Sequence, residues 1–472
     1  MRGIVNEQRR HIHFIGIGGA GLSALASVML ARGWRVSGSD RMPSPRLDAL
    51  RRAGAEVFLG HSAEFVGDAD LVVMSSAVPD DNPEVQAARA RGIPVLKRNQ
   101  WLAELTRDYD LIAVAGTHGK TTTTAMLTLA LADAGFDPTA VIGGEVPQLQ
   151  GNARVGGSQW FVLEADEYDY AFLGLQPYVA VVTNVEHDHP DIYPTEEAVL
   201  ETFRRFVAQV RADGWLIVCG DDAGARAVMD SAPASTRTLT YGFQPENRWQ
   251  AAALEPNDVG GFNFVAVYDG VPMGAFQLRV PGRHNVLNAL ACIAVAHTLG
   301  IETSDLQYTL ARFEGAERRF QPVGTVGRVQ IFDDYAHHPS EIRATLRAAR
   351  ERFGERQIWA IFQPHTYSRL AALFDEFTTA FTDADRVYVS DVYAARETNS
   401  FGVSAADLAQ RLQGVEVVYV PTQDELLSRL LQDVPEDVVI LTLGAGDITT
   451  LGPRLRQALE DRETKQHERR AG

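Results

Sequence analysis

Cysteine is scarce in this sequence. Among 472 residues only Cys219 and Cys292 are cysteines, and each lies in an apolar stretch. Two such residues make a disulfide framework improbable, so we predict two buried thiols. This usage fits a reducing compartment, and we expect a cytoplasmic protein.

Positive charge and long apolar runs are also in short supply. The formal net charge is -17, which disfavours nucleic acid as a partner because phosphate contacts need clustered Lys and Arg. No window approaches the ~20 apolar residues of a membrane-spanning helix, so no membrane insertion is expected. The opening segment MRGIVNEQRR lacks the features of a secretion signal.

Short apolar runs alternate with helical stretches along most of the chain, which indicates an α/β protein with parallel sheets. The length indicates several domains. We predict three: a Rossmann-like domain over 1–107, a P-loop ATPase-type domain with a mixed or parallel sheet over 108–320, and a second Rossmann-like domain over 321–472. The final EDRETKQHERRAG is predicted to be a frayed helical end and a solvated tail.

The first motif is GIGGAG, Gly16 to Gly21, which follows a predicted strand and opens a helix; Asp40 ends the next strand. Glycines let the backbone approach a diphosphate, and a helix N-terminus supplies free N–H donors. The pattern predicts a diphosphate site without identifying the nucleotide. A tight turn without a ligand is the alternative.

The second motif is GTHGKTTTT, Gly116 to Thr124, at another transition from strand to helix. Lys120 is placed to offset the charge of β- and γ-phosphates, and the Thr121 hydroxyl to bind Mg²⁺. The strict P-loop pattern requires glycine at position 114, where this chain has Val114, so the loop is a shorter variant.

Two acidic segments follow later strands of the same domain. EADEYD carries Glu164, Asp166 and Glu167, and TNVEHDHPD carries Glu186, Asp188 and His189. Taken alone, such segments are more often solvated turns. Beside a P-loop they indicate a divalent cation, because the carboxyl ends of parallel strands converge on one crevice.

The last domain contributes DDYAHHPSE, with Asp334, Tyr335, His337 and His338, and FQPHTYSR, which ends at Arg369. Both motifs follow apolar strands. Arg369 is suited to bind a carboxylate with two parallel hydrogen bonds. For the histidines, helix capping or packing is an equally good interpretation, and zinc spacing is absent.

In domain order and motifs together, the whole chain resembles the Mur ligase family. The resemblance implies an N-terminal domain that binds a UDP-sugar, a central ATPase domain, and a C-terminal domain that brings an amino acid. The four motifs most resemble members that join L-alanine to UDP-N-acetylmuramate. By that likeness the proposed sites are as follows: for the UDP-sugar Gly16, Gly18, Gly19, Ala20, Gly21, Asp40, His61, Ser75 and Ser76; for ATP Gly116, Thr117, His118, Gly119, Lys120, Thr121, Thr122, His284, Asn285, Asn288, Arg319 and Asp334; for the metal Thr121, Glu164 and His189; for L-alanine Tyr335, His337 and Arg369.

The resemblance further implies ATP and Mg²⁺, with Mn²⁺ as an alternative ion, a catalytic set of Lys120, Glu164, His189, His337 and Arg369, and a monomer or homodimer. His337 is the proposed proton acceptor. Thr366 replaces an arginine of some members, and Tyr168 in EADEYD also occurs in a related ligase that recycles a tripeptide. That ligase is the nearest alternative; an NAD-dependent dehydrogenase and a non-catalytic nucleotide-binding regulator are remote ones.

Overall fold

The computed structural model describes residues 11–471, with side chains to residue 465. The segment in which no secretion signal was predicted, residues 1–10, lies outside that range. Three separate sheets organise the described chain, which confirms the α/β class with three sheet-containing domains. No described helix is long and apolar enough to span a membrane.

The first domain has a five-stranded parallel sheet in the order β3-β2-β1-β4-β5. The chain order reverses between β1 and β4, and in sheets of this kind ligands bind at the carboxyl ends of the two strands that flank such a reversal. The elements are β1 (His11–Ile15), α1 (Ala20–Ala31), β2 (Arg35–Asp40), α2 (Pro45–Arg52), β3 (Glu56–Leu59), β4 (Leu71–Met74), α3 (Pro83–Ala90), β5 (Val95–Lys97) and α4 (Arg98–Thr106).

The central domain has a ten-stranded sheet in the order β15-β14-β13-β12-β11-β10-β6-β9-β7-β8. Its middle strands are parallel and buried, and antiparallel pairs lie at both edges, so the sheet is mixed. The elements are β6 (Asp110–Ala115), α5 (Lys120–Asp133), β7 (Thr139–Val146), β8 (Gly151–Arg154), β9 (Trp160–Glu164), β10 (Val179–Val182), α6 (Glu196–Val207), β11 (Trp215–Cys219), α7 (Ala223–Val228), β12 (Arg237–Gly242), β13 (Trp249–Pro256), β14 (Phe262–Tyr268), β15 (Val271–Gln277), α8 (Arg283–Thr298) and α9 (Thr303–Arg312).

The third domain has a six-stranded sheet in the order β16-β17-β21-β18-β19-β20. Five of these strands follow the predicted alternation; β16 is an additional antiparallel edge strand. The elements are β16 (Gln321–Val326), β17 (Arg328–Asp334), α10 (Pro339–Phe353), β18 (Ile358–Phe362), α11 (Tyr367–Ala372), α12 (Phe374–Phe377), β19 (Arg386–Val389), α13 (Ala405–Arg411), β20 (Glu416–Tyr419), α14 (Gln423–Asp433), β21 (Asp437–Leu443) and α15 (Leu451–Ala471).

Two sequence expectations about chain organisation can now be compared with the structure. The predicted helical end is the last part of α15, which continues to Ala471, and the side chains of residues 461–465 are exposed. The predicted boundaries near residues 107 and 320 fall between sheets, and we keep them as a proposal. Both cysteines are buried and free, and burial raises the pKa of each thiol to about 12, so both are chemically inert.

Candidate active site

The GTHGKTTTT loop joins β6 to α5 and packs closely against its surroundings. Gly116 has φ 142° and Gly119 has φ 82°, values that favour glycine. A Cβ at Gly116 would overlap the Thr183 hydroxyl, and one at Gly119 would lie 2.6 Å from Oδ1 of Asn288. The loop therefore has a single compact path, and Asn184, which follows β10, accepts the N–H groups of Thr117 (3.0 Å) and His118 (2.7 Å).

Lys120, the first residue of α5, is held by an internal anion. Its Nζ lies 2.8 and 2.9 Å from the Glu167 carboxylate oxygens and 2.6 Å from the Gly116 carbonyl oxygen. Burial opposes the ammonium charge, but Glu167 and Asp166 outweigh burial and raise the pKa of Lys120. Lys120 is therefore a charged group at the end of the loop that is predicted to bind phosphates.

The residues predicted to hold a metal lie beside this lysine. The Thr121 hydroxyl donates to Oε1 of Glu164 (2.9 Å), whose Oε2 accepts the Gly143 N–H (2.6 Å). Burial raises the pKa of Glu164. Nε2 of His189 lies 3.9 Å from Oε1 of Glu167. A hydroxyl, an imidazole and an excess of buried carboxylates form a donor set that fits Mg²⁺ or Mn²⁺.

A second group of potential ligands lies between the central and third domains. Within residues 11–465, the ligand atoms of His118, Glu186 and His338 all approach one another within 4.8 Å. Burial disfavours a charged His118, but Glu341 and Glu186 outweigh burial and raise its pKa to about 10. A protonated imidazole binds no metal, so we interpret this group as an ion-pair cluster.

A cavity of about 230 Å³ opens between the loop, α8 and the start of α10. It brings together most residues predicted to bind ATP: His118, Gly119, Thr121, Thr122, His284, Asn285, Asn288, Arg319 and Asp334. Burial and Arg319 lower the pKa of His284 to about 4, so its ring is neutral at pH 7. The wall therefore combines neutral donors and acceptors, such as His284 and Asn288, with ionisable groups that include Arg319 and Glu341.

A larger cavity of about 770 Å³ adjoins the same loop. Each domain contributes to its wall, and Gly119, Thr121 and Arg319 line both cavities. Predicted residues in the larger wall are Ala20, Gly21, Thr117, Lys120, Glu164, His189, Tyr335, His337 and Arg369. The residues predicted to bind the nucleotide and those predicted to bind the amino acid thus line adjoining cavities beside the GTHGKTTTT loop.

Arg369 is already paired in this structure. Its side chain is 4% exposed, and Nε donates to Oδ1 of Asp188 at 2.8 Å, a partner that sequence reasoning did not connect with it. Nδ1 of His337 lies 2.9 Å from the Tyr335 carbonyl oxygen, which leaves Nε2 facing away from that bond. Burial and Arg369 lower the pKa of His337 to about 3.

Thr366, the position where some relatives carry arginine, has a structural role. It precedes α11 with φ 66° and accepts the Arg369 N–H. A left-handed conformation is costly for a β-branched residue. The backbone is therefore strained at the start of α11, the helix that carries Arg369 beside the cavity.

The GIGGAG loop lies at the carboxyl end of β1, next to the end of β4. The Gly18 N–H donates to Oδ2 of Asp40 at 2.9 Å. A Cβ at Gly16 would lie 3.1 Å from that of Ser75. Of the predicted UDP-sugar residues, Ala20 and Gly21 line the larger cavity, whereas Gly16, Gly18, Gly19, Asp40, His61, Ser75 and Ser76 do not.

Sequence reasoning missed the ion pairs that connect the first two domains. NH2 of Arg98 lies 2.8 Å from Oδ2 of Asp166, and Nε of Arg46 lies 3.3 Å from Oε1 of Glu145. Burial opposes ionisation of Asp166, but Arg98 and Lys120 outweigh it and lower its pKa. Arg98 directly follows β5. Because ligands bind at the carboxyl ends of parallel strands, this position could have indicated Arg98 as a candidate site residue.

All three parts of the chain match descriptions of one family. Residues 11–110 match "Mur ligase family, catalytic domain", residues 114–296 match "Mur ligase middle domain", and residues 318–446 match "Mur ligase, glutamate ligase domain". The chain therefore belongs to the Mur ligase family.

Individual relatives narrow the comparison. A protein of Frankia casuarinae named UDP-N-acetylmuramate–L-alanine ligase is 48% identical over 97% of this chain and 99% of its own. The crystal structure of UDP-N-acetylmuramate-alanine ligase MurC from Thermotoga maritima has a TM-score of 0.81 and 31% identity, covering 96% of this chain and 100% of that one. A murein peptide ligase from Psychrobacter arcticus, 24% identical over 95% of this chain and 98% of its own with a TM-score of 0.72, shares the fold.

Proposed function

We propose that this protein joins L-alanine to the lactyl carboxylate of UDP-N-acetylmuramate, with cleavage of ATP to ADP and phosphate, in the synthesis of peptidoglycan precursors. The cavity of about 770 Å³ carries the proposal, because side chains of all three domains meet there beside Lys120. A ligation needs that arrangement, since a carboxylate, an amine and the phosphoryl donor ATP must approach one another. The names of the relatives supply the identities of the substrates.

A carboxylate is a poor acyl donor, so its activation comes first. A carboxylate oxygen attacks the γ-phosphorus, the bond to the β-phosphate oxygen breaks, and ADP leaves. The charge of Lys120 stabilises the transferring phosphoryl group, and positioning supplies most of the remaining acceleration. Because Glu167 is bound to Lys120 in the structure, the ATP phosphates take the place of that carboxylate or share the ammonium with it.

The amine of L-alanine then attacks the acyl phosphate at its carbonyl carbon, and phosphate leaves with the bridging oxygen. The attacking nitrogen must lose its ammonium proton first. His337 is our candidate acceptor, through Nε2. Burial and Arg369 lower the pKa of His337 to about 3 and make it a weak base, so the role requires the negative charge of the acyl phosphate to raise that pKa.

Thr121, Glu164 and His189 are the proposed ligands of a divalent cation. Mg²⁺ or Mn²⁺ at this position would neutralise charge on the ATP phosphates. Support comes from the Thr121–Glu164 contact of 2.9 Å and from the buried carboxylates around Lys120. We further propose a cytoplasmic location, because the proposed co-substrate ATP is a cytoplasmic metabolite. We also propose a monomer or homodimer, as the family resemblance implies.

One observation favours a second candidate, the tripeptide-recycling ligase. Tyr168 lines the larger cavity and donates to Oδ2 of Asp191 at 3.2 Å, and tyrosine at this position resembles that group of ligases. The two candidates share the nucleotide site and the fold. They differ in the acceptor amine.

The direct test follows phosphate release together with the mass of the product. With UDP-N-acetylmuramate, L-alanine and ATP present, the product should be heavier than UDP-N-acetylmuramate by one alanine residue. One free phosphate should be released for each molecule of product. Omission of L-alanine should prevent product formation. Phosphate release without that product would contradict the proposal.

A further inference from the structure

One face of the first sheet carries a buried polar network that the chemistry above does not use. His11 and His13 alternate along β1, and Ser37 and Ser39 alternate along the adjacent β2, so all four side chains point to the same face. Glu84, at the start of α3, covers them and is 0% exposed. A carboxylate buried this deeply is costly unless several donors satisfy it.

Three donors converge on Glu84. Oε2 lies 2.6 Å from Nε2 of His13, and Oε1 lies 2.8 Å from the Ser39 hydroxyl and 2.6 Å from Nδ1 of His61. Asn82 caps α3 by accepting the Glu84 N–H at 2.9 Å, and the helix N-terminus favours a negative charge there. Glu84 is therefore a buried carboxyl group whose two oxygens both have hydrogen-bond partners.

Proton counting shows that this network carries an added charge. Four hydrogen bonds link Asp68 to His11, His11 to Ser37, Ser37 to His13, and His13 to Glu84. Two neutral histidines and one hydroxyl supply three hydrogens for these four bonds. A further proton must be present, on a histidine or a carboxyl group, so the interior of this domain balances charge rather than packing apolar groups alone.

His61 connects the network to the glycine loop. It follows β3, and its Nδ1 also lies 3.1 Å from the Ser39 hydroxyl. The Ser39 carbonyl oxygen accepts the N–H groups of Gly16 (2.8 Å) and Ile17 (3.0 Å). Glu84, His61 and the diphosphate-binding loop are thus joined through a single residue of β2.

We propose that Glu84 is a positioning residue for the UDP-sugar, acting through His61. This inference rests on the proposed function. The Glu84 carboxylate requires a hydrogen on Nδ1 of His61, which fixes the orientation of the ring and leaves Nε2 as the ring nitrogen free for a ligand. Among the described residues Nε2 has no hydrogen-bond partner. With a hydrogen on each ring nitrogen, the imidazole donates from Nδ1 to Glu84 and from Nε2 to a diphosphate oxygen.

Calorimetry of UDP-N-acetylmuramate binding to the full chain tests the assignment without requiring turnover. Glu84→Gln should weaken binding about 10- to 100-fold, by analogy with a metal-bound histidine that loses its hydrogen-bond partner. The KM for UDP-N-acetylmuramate should rise similarly, with kcat and the KM for ATP nearly unchanged. Glu84→Asp, which keeps the charge, should fall between the two proteins.

His61→Ala distinguishes this role from a loss of folding. If Glu84 acts through His61, adding Glu84→Gln to His61→Ala should weaken binding little further. Asp68→Asn, at the exposed far end of the network, should bind like the unmodified protein. Three results would overturn the assignment. Asp68→Asn could lose as much affinity for UDP-N-acetylmuramate as Glu84→Gln, the losses in the double variant could be additive, or Glu84→Gln could bind as the unmodified protein does. Absence of binding to the unmodified protein would instead refute the proposed UDP-sugar function, and the assignment with it.

Discussion

Removal of the Lys120 charge should affect catalysis and stability separately, and a second substitution can distinguish the two effects. In Lys120→Met the side chain keeps its approximate volume but loses its ammonium group. Loss of one preorganised electrostatic group typically lowers kcat about 10²- to 10³-fold. We expect at least that loss, while UDP-N-acetylmuramate still binds, because its proposed site lies in another domain.

The same substitution leaves Glu167 without its cation. The two side chains are 13% and 3% exposed, and breaking a buried pair by removing one partner costs about 3–5 kcal/mol. Near the melting temperature this corresponds to a decrease of about 6–20 °C for a domain of this size. Lys120→Met/Glu167→Gln removes the unpaired charge and should recover much of that decrease.

Thermal unfolding and phosphate release, measured on the same samples, test both effects. The double variant should be more stable than Lys120→Met yet remain inactive, and Lys97→Met, an exposed lysine in the first domain, should change neither property. Normal turnover in the double variant would refute the P-loop assignment. Equal melting temperatures for Lys120→Met and the unmodified protein would refute the structural role of the ion pair.

Three further predictions concern pH and the two substrates other than the UDP-sugar. A folded pKa of about 10 for His118 against an ordinary value of 6.5 means that its stabilisation is complete below pH 6.5 and is lost as pH rises through about 10. The difference in unfolding free energy between the unmodified protein and His118→Gln should therefore be greatest near pH 6, where its upper limit is about 3–5 kcal/mol. The difference should decrease towards pH 10. A difference that stays constant with pH would contradict the pairing. Arg369→Ala should raise the KM for L-alanine about tenfold with little change in that for ATP, and an unchanged KM would remove Arg369 from the amino-acid site. Asn288→Ala, which removes bonds to Thr123 and Asn285, should raise the KM for ATP about tenfold, and an unaltered KM for ATP would place the nucleotide elsewhere.

Sequence patterns located the P-loop and the acidic segments because each follows a buried parallel strand. The carboxyl ends of such strands meet at one edge of a sheet, so Lys120, Glu164 and His189 were predicted to approach one another. Their presence around one cavity agrees with that reasoning. The metal and substrate roles of these residues stay predictions.

The specific partners of these side chains were beyond the reach of local patterns. Asp188 and Arg369 are separated by 181 residues and lie in different domains, yet they form a buried pair. Glu167 was considered as a metal ligand, whereas in the structure it binds Lys120. Such pairings depend on how domains pack, which strand and helix periodicity does not encode.

Glu84 was missed for a different reason. It lies at the start of a helix in the segment DNPE, where an acidic residue is ordinarily a solvated contribution to the helix N-terminus. The informative signal was the polar alternation of His11 and His13 within an otherwise apolar strand. Two histidines on the same buried face require hydrogen-bond partners from another element. The sequence pattern does not identify which element supplies those partners.

Discrimination between acceptors tests the central claim most directly. The kcat/KM for phosphate release should be measured with UDP-N-acetylmuramate and ATP, with either L-alanine or the tripeptide L-Ala-γ-D-Glu-meso-diaminopimelate as the amine. We predict efficient release with L-alanine and little with the tripeptide. Release with the tripeptide alone would contradict the account and assign the protein to the recycling ligases, with the fold and the ATP site unchanged.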